Sequence, residues 1–189
     1  MAVAPTLFYD LGSPYAYLAV ERAETVLGLR PHLHPTLLGP IFVLRGWGSW
    51  AHTGTRAAQQ AEIAARAKRY GLRPVAWPPG WPPNTLQAMR AVVWAETRDR
   101  GEDYARAAFR AAFVHGRDLG DRATLADVAS EVGLPAAELP AALQDPEVKD
   151  ALRACTQHAI DLGVRGVPTL ATAGGTLVFG DDRLEEGAR

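Results

Sequence analysis

Residues 163–186 read GVRGVPTLATAGGTLVFGDDRLEE, and this stretch decides the fold. A strand starts at Thr169, Gly174-Gly175 makes a turn, and a second strand runs through Phe179. Asp181 or Asp182 then caps a short helix. Val167-Pro168 lies between a glycine-flanked turn and the first of these strands. A cis bond there would turn the preceding N–H and C=O outward, ready to pair with an extended peptide. A trans proline at a strand start is the ordinary alternative.

Just upstream, Asp145-Pro146 opens a long helix whose apolar stripe is Val148, Leu152, Cys155, Ala159 and Leu162. The N-terminal end has a matching architecture. Thr6 to Tyr9 is a short strand, broken by Asp10-Leu11-Gly12. Ser13-Pro14 opens a helix that carries Ala19, Ala23, Val26 and Leu27 on one face and stops at Gly28. His32 to Leu38 is a second strand, which Pro31 and Pro35 assign to a sheet edge. The chain is therefore α/β, with βαβ at its start and αββα at its end.

Between these ends the pattern is helical. One helix covers 56–70 and stops at Gly71; another begins at Asn84-Thr-Leu-Gln87, which has capping-box form; two more follow around Tyr104–Phe113 and Thr124–Val132. A connector rich in proline, Pro74 to Pro83, holds Trp77 and Trp81. We expect residues 1–38 and 146–189 to form one domain and 39–145 to be an all-α insertion.

Composition excludes several classes. Of the 189 residues, 48% are hydrophobic and 22% charged, so the chain is globular rather than disordered. Twenty basic against 21 acidic residues leave a charge of −1 with no basic block, so nucleic acid is not an expected partner. Cys155 is the single cysteine, which excludes an internal disulfide, a CxxC redox pair and a multi-cysteine metal site. His32 and His34 suit one strand face better than a metal cage. No basic leader and no long apolar run is present, so we expect a soluble, cytoplasmic protein with no membrane partner.

Two segments can carry chemistry. Ser13 sits at a helix start behind a strand, where unpaired N–H groups and the helix dipole stabilise an anion. It is either a simple N-cap or a hydrogen-bond donor to a thiolate or alkoxide. The second segment is GVRGVPTL, residues 163–170.

Together with "PTLLGPIF", "ARAKRYGL", "NTLQAMRA" and "GDDRLE", the motifs "SPY" and "GVxGVPT" resemble the kappa-class glutathione transferases and their bacterial relatives. The resemblance is to the 2-hydroxychromene-2-carboxylate isomerases of the DsbA-like thioredoxin superfamily, over essentially the whole chain. It implies a thioredoxin-like domain interrupted by the helical insertion, glutathione as cofactor, a small aromatic electrophile as substrate, and a homodimer. Ser13 matches the serine that faces the glutathione sulfur. Val167, before Pro168, matches the residue whose backbone pairs with the glutathione cysteine. Asp181 and Asp182 match the turn that holds the γ-glutamyl group.

Two positions depart from that pattern. The family's Asn in the loop after the second strand is absent, since the only Asn is Asn84; its contact is either missing or made by another group such as His52 or Thr53. Position 165, commonly aromatic, is Arg165, which meets a carboxylate or projects into solvent. Cys155 reads as a buried core thiol, and His115 and His158 show no partner arrangement. Trp47, Trp50, Trp77 and Trp81 either staple loops or line an aromatic pocket. Alternatives to the isomerase are a kappa-type transferase or peroxidase and a non-catalytic DsbA-like ligand-binding module.

Overall fold

A computed structural model describes residues 4–188. Strand β1 (Thr6–Tyr9) leads into helix α1 (Pro14–Leu27) and strand β2 (His32–Pro35). Seven helices follow: α2 (Leu38–Arg45), α3 (Arg56–Arg69), α4 (Leu86–Glu96), α5 (Gly101–Phe113), α6 (Arg122–Glu131), α7 (Leu139–Ala142) and α8 (Pro146–Asp161). The chain then makes β3 (Thr169–Ala171), β4 (Leu177–Phe179) and a 3-10 segment, Asp181–Ala188.

The sheet order is β2-β1-β3-β4, with β2 parallel to β1 and the other two pairs antiparallel. α1 is the crossover that a parallel pair needs. Leu7, Phe8 and Tyr9 are buried because β1 is central and covered on both faces. β2 lies at the edge, as Pro31 and Pro35 predict. It is shorter than expected: Leu37 N–H donates to Thr156 Oγ1 at 3.1 Å and Leu38 N–H to Asp10 Oδ2 at 2.9 Å, which draws the chain out of the sheet.

The fold is thus thioredoxin-like α/β with a helical segment between the two halves of the sheet. One apolar core joins sheet and helices. Phe109 of α5 stands 5.6 Å from Tyr9, and Phe113 stands 5.5 Å from Tyr17 of α1, measured between ring centroids. Among the described residues no helix is long and apolar enough to cross a membrane.

Helix α2 has no counterpart in the sequence reading. Leu37 caps it without a side-chain bond, and Gly39 and Pro40 in its first turn read as loop, although proline is tolerated there. The capping box at Asn84 does not form. Thr85 is the N-cap without a capping side-chain bond, while Asn84 Oδ1 accepts from Leu86 N–H at 3.1 Å and Gln87 Oε1 is buried without a partner.

Candidate functional site

The site begins where β1 ends. Ser13 N–H donates to Asp10 O at 2.9 Å, closing a turn, and Ser13 Oγ accepts from Ala16 N–H at 3.2 Å. The serine is therefore an N-cap, with Pro14 in the first turn. A hydroxyl can also donate one hydrogen bond. Among the described residues Ser13 Oγ donates to none. Its side chain lies at the wall of a cavity of about 230 Å³, together with Phe42, Trp50 and Trp81.

Asp10 builds this wall, a role that sequence reading missed. Its Oδ1 accepts from Gly12 N–H at 2.8 Å and Thr85 Oγ1 at 3.0 Å, and its Oδ2 from Leu38 N–H. One buried carboxylate thus ties the β1–α1 turn to the starts of α2 and α4. Burial raises its pKa, and the bonds from Leu38, Gly12 and Thr85 oppose that rise. A Cβ at Gly12 would lie 3.0 Å from Thr85 Cγ2, so any larger residue would press on Thr85. The signal in the sequence is the Asp-x-Gly spacing, which favours a side-chain-to-backbone turn.

The tryptophans divide. Trp50 and Trp81 line the Ser13 cavity with ring centroids 4.9 Å apart. Trp77 packs on Trp81 and on Phe113, so it also secures the proline-rich connector. Trp47 faces a different pocket.

The Val167–Pro168 bond is cis. Pro168 O accepts from Gly180 N–H at 3.0 Å, which binds this loop to the Asp181-Asp182 turn. Gly180 has φ of +110°, and a Cβ there would meet Asp182 Oδ1 at 2.6 Å. The two acids behave differently. Asp181 is buried: Oδ1 accepts from Arg66 Nη1 at 2.8 Å and Oδ2 from Tyr70 hydroxyl at 3.0 Å. Burial raises its pKa, with Arg66 opposing. Asp182 is half exposed, with Oδ2 3.2 Å from the same Arg66 nitrogen.

Arg66 also connects this turn toward Ser13. Its guanidinium lies 5.4 Å from the ring of Tyr15, whose hydroxyl donates to Gln59 Oε1. Arg66, Tyr70 and Gln59 were not singled out by sequence, although Arg66 and Tyr70 share a face of α3 by their i, i+4 spacing. The Ser13 cavity is not itself lined by Val167, Asp182, His52 or Thr53. Thr53 Oγ1 donates to Trp50 O at 2.8 Å and pairs with Thr55.

Cys155 corrects an expectation. It is half buried rather than enclosed in the core, because α8 turns it toward a separate cavity of about 690 Å³ with His34, Glu96 and Glu102. Burial, reinforced by Glu96, pushes its thiol up to about 11, so it is protonated at neutral pH. His158 has a ring neighbour after all, His34 at 5.5 Å.

Glu96 makes this cavity pH-sensitive. Burial and then Glu102 raise its carboxyl from 4.5 to about 7. Across the cavity it faces Glu102, His34 and Cys155. Glu96 thus contributes stability below pH 4.5 that is lost as pH rises through 7. Glu96→Gln should remove that loss, flattening the urea-denaturation midpoint over this range. Discounted for partial exposure, the gain at alkaline pH is about 1–2 kcal/mol.

Comparison with known proteins agrees with this architecture. No curated protein sequence matches the chain. Among solved structures, a 2-hydroxychromene-2-carboxylate isomerase is similar at a TM-score of 0.86 and 20% identity, over 96% of this chain and 91% of that one. A probable DsbA oxidoreductase from Streptomyces coelicolor gives a TM-score of 0.76 at 22% identity, over 98% and 88%. The cytosolic disulfide reductase DsbM from Pseudomonas aeruginosa gives 0.65 at 20%, over 98% and 93%. At such identities these likenesses show the fold. The profile of the DSBA-like thioredoxin domain matches residues 6–189, and the chain belongs to that family.

Proposed function

We propose that the protein is a glutathione-dependent enzyme acting on a small aromatic electrophile, an isomerase of the 2-hydroxychromene-2-carboxylate type. One observation carries this reading. The Ser13 hydroxyl has an uncommitted donor at the N-terminus of a 14-residue helix, on the wall of an aromatic cavity. That combination favours a bound thiolate. The chain's single cysteine lines another cavity, so a thiolate at Ser13 would belong to a ligand.

When bound, glutathione supplies the thiolate nucleophile. Ser13 orients and stabilises the sulfur by donating its hydroxyl proton. Val167 offers main-chain groups to the tripeptide's cysteine, as its place before Pro168 suggests. Asp182, the half-exposed acid, suits the γ-glutamyl ammonium. Phe42, Trp50 and Trp81 offer apolar faces to a flat electrophile and keep water from the sulfur. The fold is shared with an isomerase and with disulfide reductases, and a chain with a single cysteine suits the first of these chemistries better than the second.

The two acids give a direct test. In calorimetry with reduced glutathione, Asp182→Ala should weaken binding roughly ten- to a hundredfold, the worth of a charge-assisted contact. Asp181→Ala should act first on stability, by about 1–3 kcal/mol, because Arg66 and Tyr70 lose a buried partner. Wild-type protein that takes up no glutathione at millimolar concentration overturns the reading.

A further inference from the structure

Beside the Val167-Pro168 loop lies a pocket separate from the Ser13 cavity. It has a volume of about 430 Å³ and is walled by Trp47, Val164, Leu177 and Phe179, with Arg165 and Thr169 at its edge. That volume is within the usual range for small-ligand sites. Its apolar walls are open to solvent: Trp47 is 54% and Phe179 55% exposed. Such large aromatic surface is unusual outside a binding site when it is contiguous.

The walls are held in place. Phe179 packs so closely on Gly166 that a Cβ at Gly166 would lie 3.0 Å from Phe179 Cε2. Leu177 and Phe179 project from the same face of β4, two residues apart. The segment after α2 serves both cavities, with Ser49 and Trp50 on the Ser13 side and Trp47 on this one.

Charge decides what would fit. No acid lines the pocket, and Arg165 is exposed without an ion-pair partner among the described residues. A second guanidinium, Arg45, lies 5.8 Å from the Trp47 ring and likewise has no acidic partner among them. An apolar pocket with one free planar cation at its rim matches an amphipathic anion, since a guanidinium pairs with a carboxylate through two parallel hydrogen bonds.

We propose that this pocket is a second ligand site, which binds a small molecule with an apolar body and a single carboxylate head. The carboxylate pairs with Arg165, and the body lies against Trp47, Leu177 and Phe179. The pocket borders the Val167-Pro168 loop but not the Ser13 cavity, and it is tested without glutathione, so its failure and that of the Ser13 assignment are separable.

Calorimetry with 4-phenylbutyrate, and with its neutral amide as control, tests the proposal in the absence of glutathione. The acid should bind the wild type at least about tenfold more tightly than the amide. Arg165→Gln should weaken the acid by about the same factor and leave the amide unchanged. Arg165→Lys should recover part of the affinity, because it keeps the charge and loses the planar fork. Equal affinity for acid and amide, or no effect of Arg165→Gln, overturns the proposal. So does light scattering that shows this face covered by a second copy of the chain, with 4-phenylbutyrate excluded.

Discussion

On the proposed function, Ser13→Ala should raise the pKa of a bound glutathione thiol by about 1–2 units, the equivalent of one hydrogen bond to a charged group. The free thiol has a pKa near ~8.5 and is mostly protonated at neutral pH. In the proposed complex Ser13 and the N-terminus of α1 would act on it together. The dipole and the main-chain N–H groups survive the substitution, so the rise stops short of the full effect. Loss of the bond to Ala16 N–H also costs about 1 kcal/mol of stability, as for other N-caps, and this leaves the fold intact. The thiolate absorbs in the ultraviolet, so a pH titration of the complex reads the shift directly. Turnover of a chromene carboxylate at neutral pH should fall in parallel. If neither changes, Ser13 is only an N-cap.

The second large effect is on stability. Asp10→Ala leaves the N–H groups of Gly12 and Leu38 and the hydroxyl of Thr85 without their buried acceptor. We expect a loss of about 2–4 kcal/mol in urea denaturation. Asp10→Asn keeps the volume and one acceptor oxygen, but turns an amide NH₂ toward one of the two N–H groups, so its loss should be smaller. Thr85→Val removes only one of the three bonds and should cost about 1 kcal/mol. If all three variants melt together with the wild type, Asp10 does not organise the wall of the Ser13 cavity.

Much of the architecture is legible because its signals are local. Gly28 has φ of +68° and stops α1, Tyr70-Gly71 ends α3, and Gly174-Gly175 turns the β3–β4 hairpin. Asp145 caps α8 through Glu147 N–H. In each case one residue's backbone preference decides the outcome. Where sequence reading falls short, the decision is tertiary. Helix α2 forms at a Gly-Pro pair because Asp10, 28 positions earlier, accepts from its first turn. The capping pattern at Asn84 fails because Thr85 is drawn to the same carboxylate.

The candidate site divides in the same way. The Ser-Pro signal places Ser13 at a helix N-cap, which the structure shows, whereas its role toward a thiolate, and that of the Asp181-Asp182 turn toward a ligand, is what the family resemblance implies. That one of those acids is spent on Arg66 and Tyr70 could not be read, since their partners lie 115 and 111 residues apart. Cys155 was assigned to a core stripe by helical spacing. That stripe is real at Val148, Leu152 and Ala159, but the cavity beside His34 begins at Cys155 itself.

The most direct measurement compares reduced glutathione with S-methylglutathione in calorimetry at neutral pH. The two differ only at sulfur, which Ser13 is taken to hold as thiolate. Wild-type protein should bind the reduced tripeptide about tenfold or more tightly than the methylated one, and Ser13→Ala should bring the two affinities together. Equal affinities in the wild type, or a difference that persists undiminished in Ser13→Ala, would contradict a thiolate at Ser13.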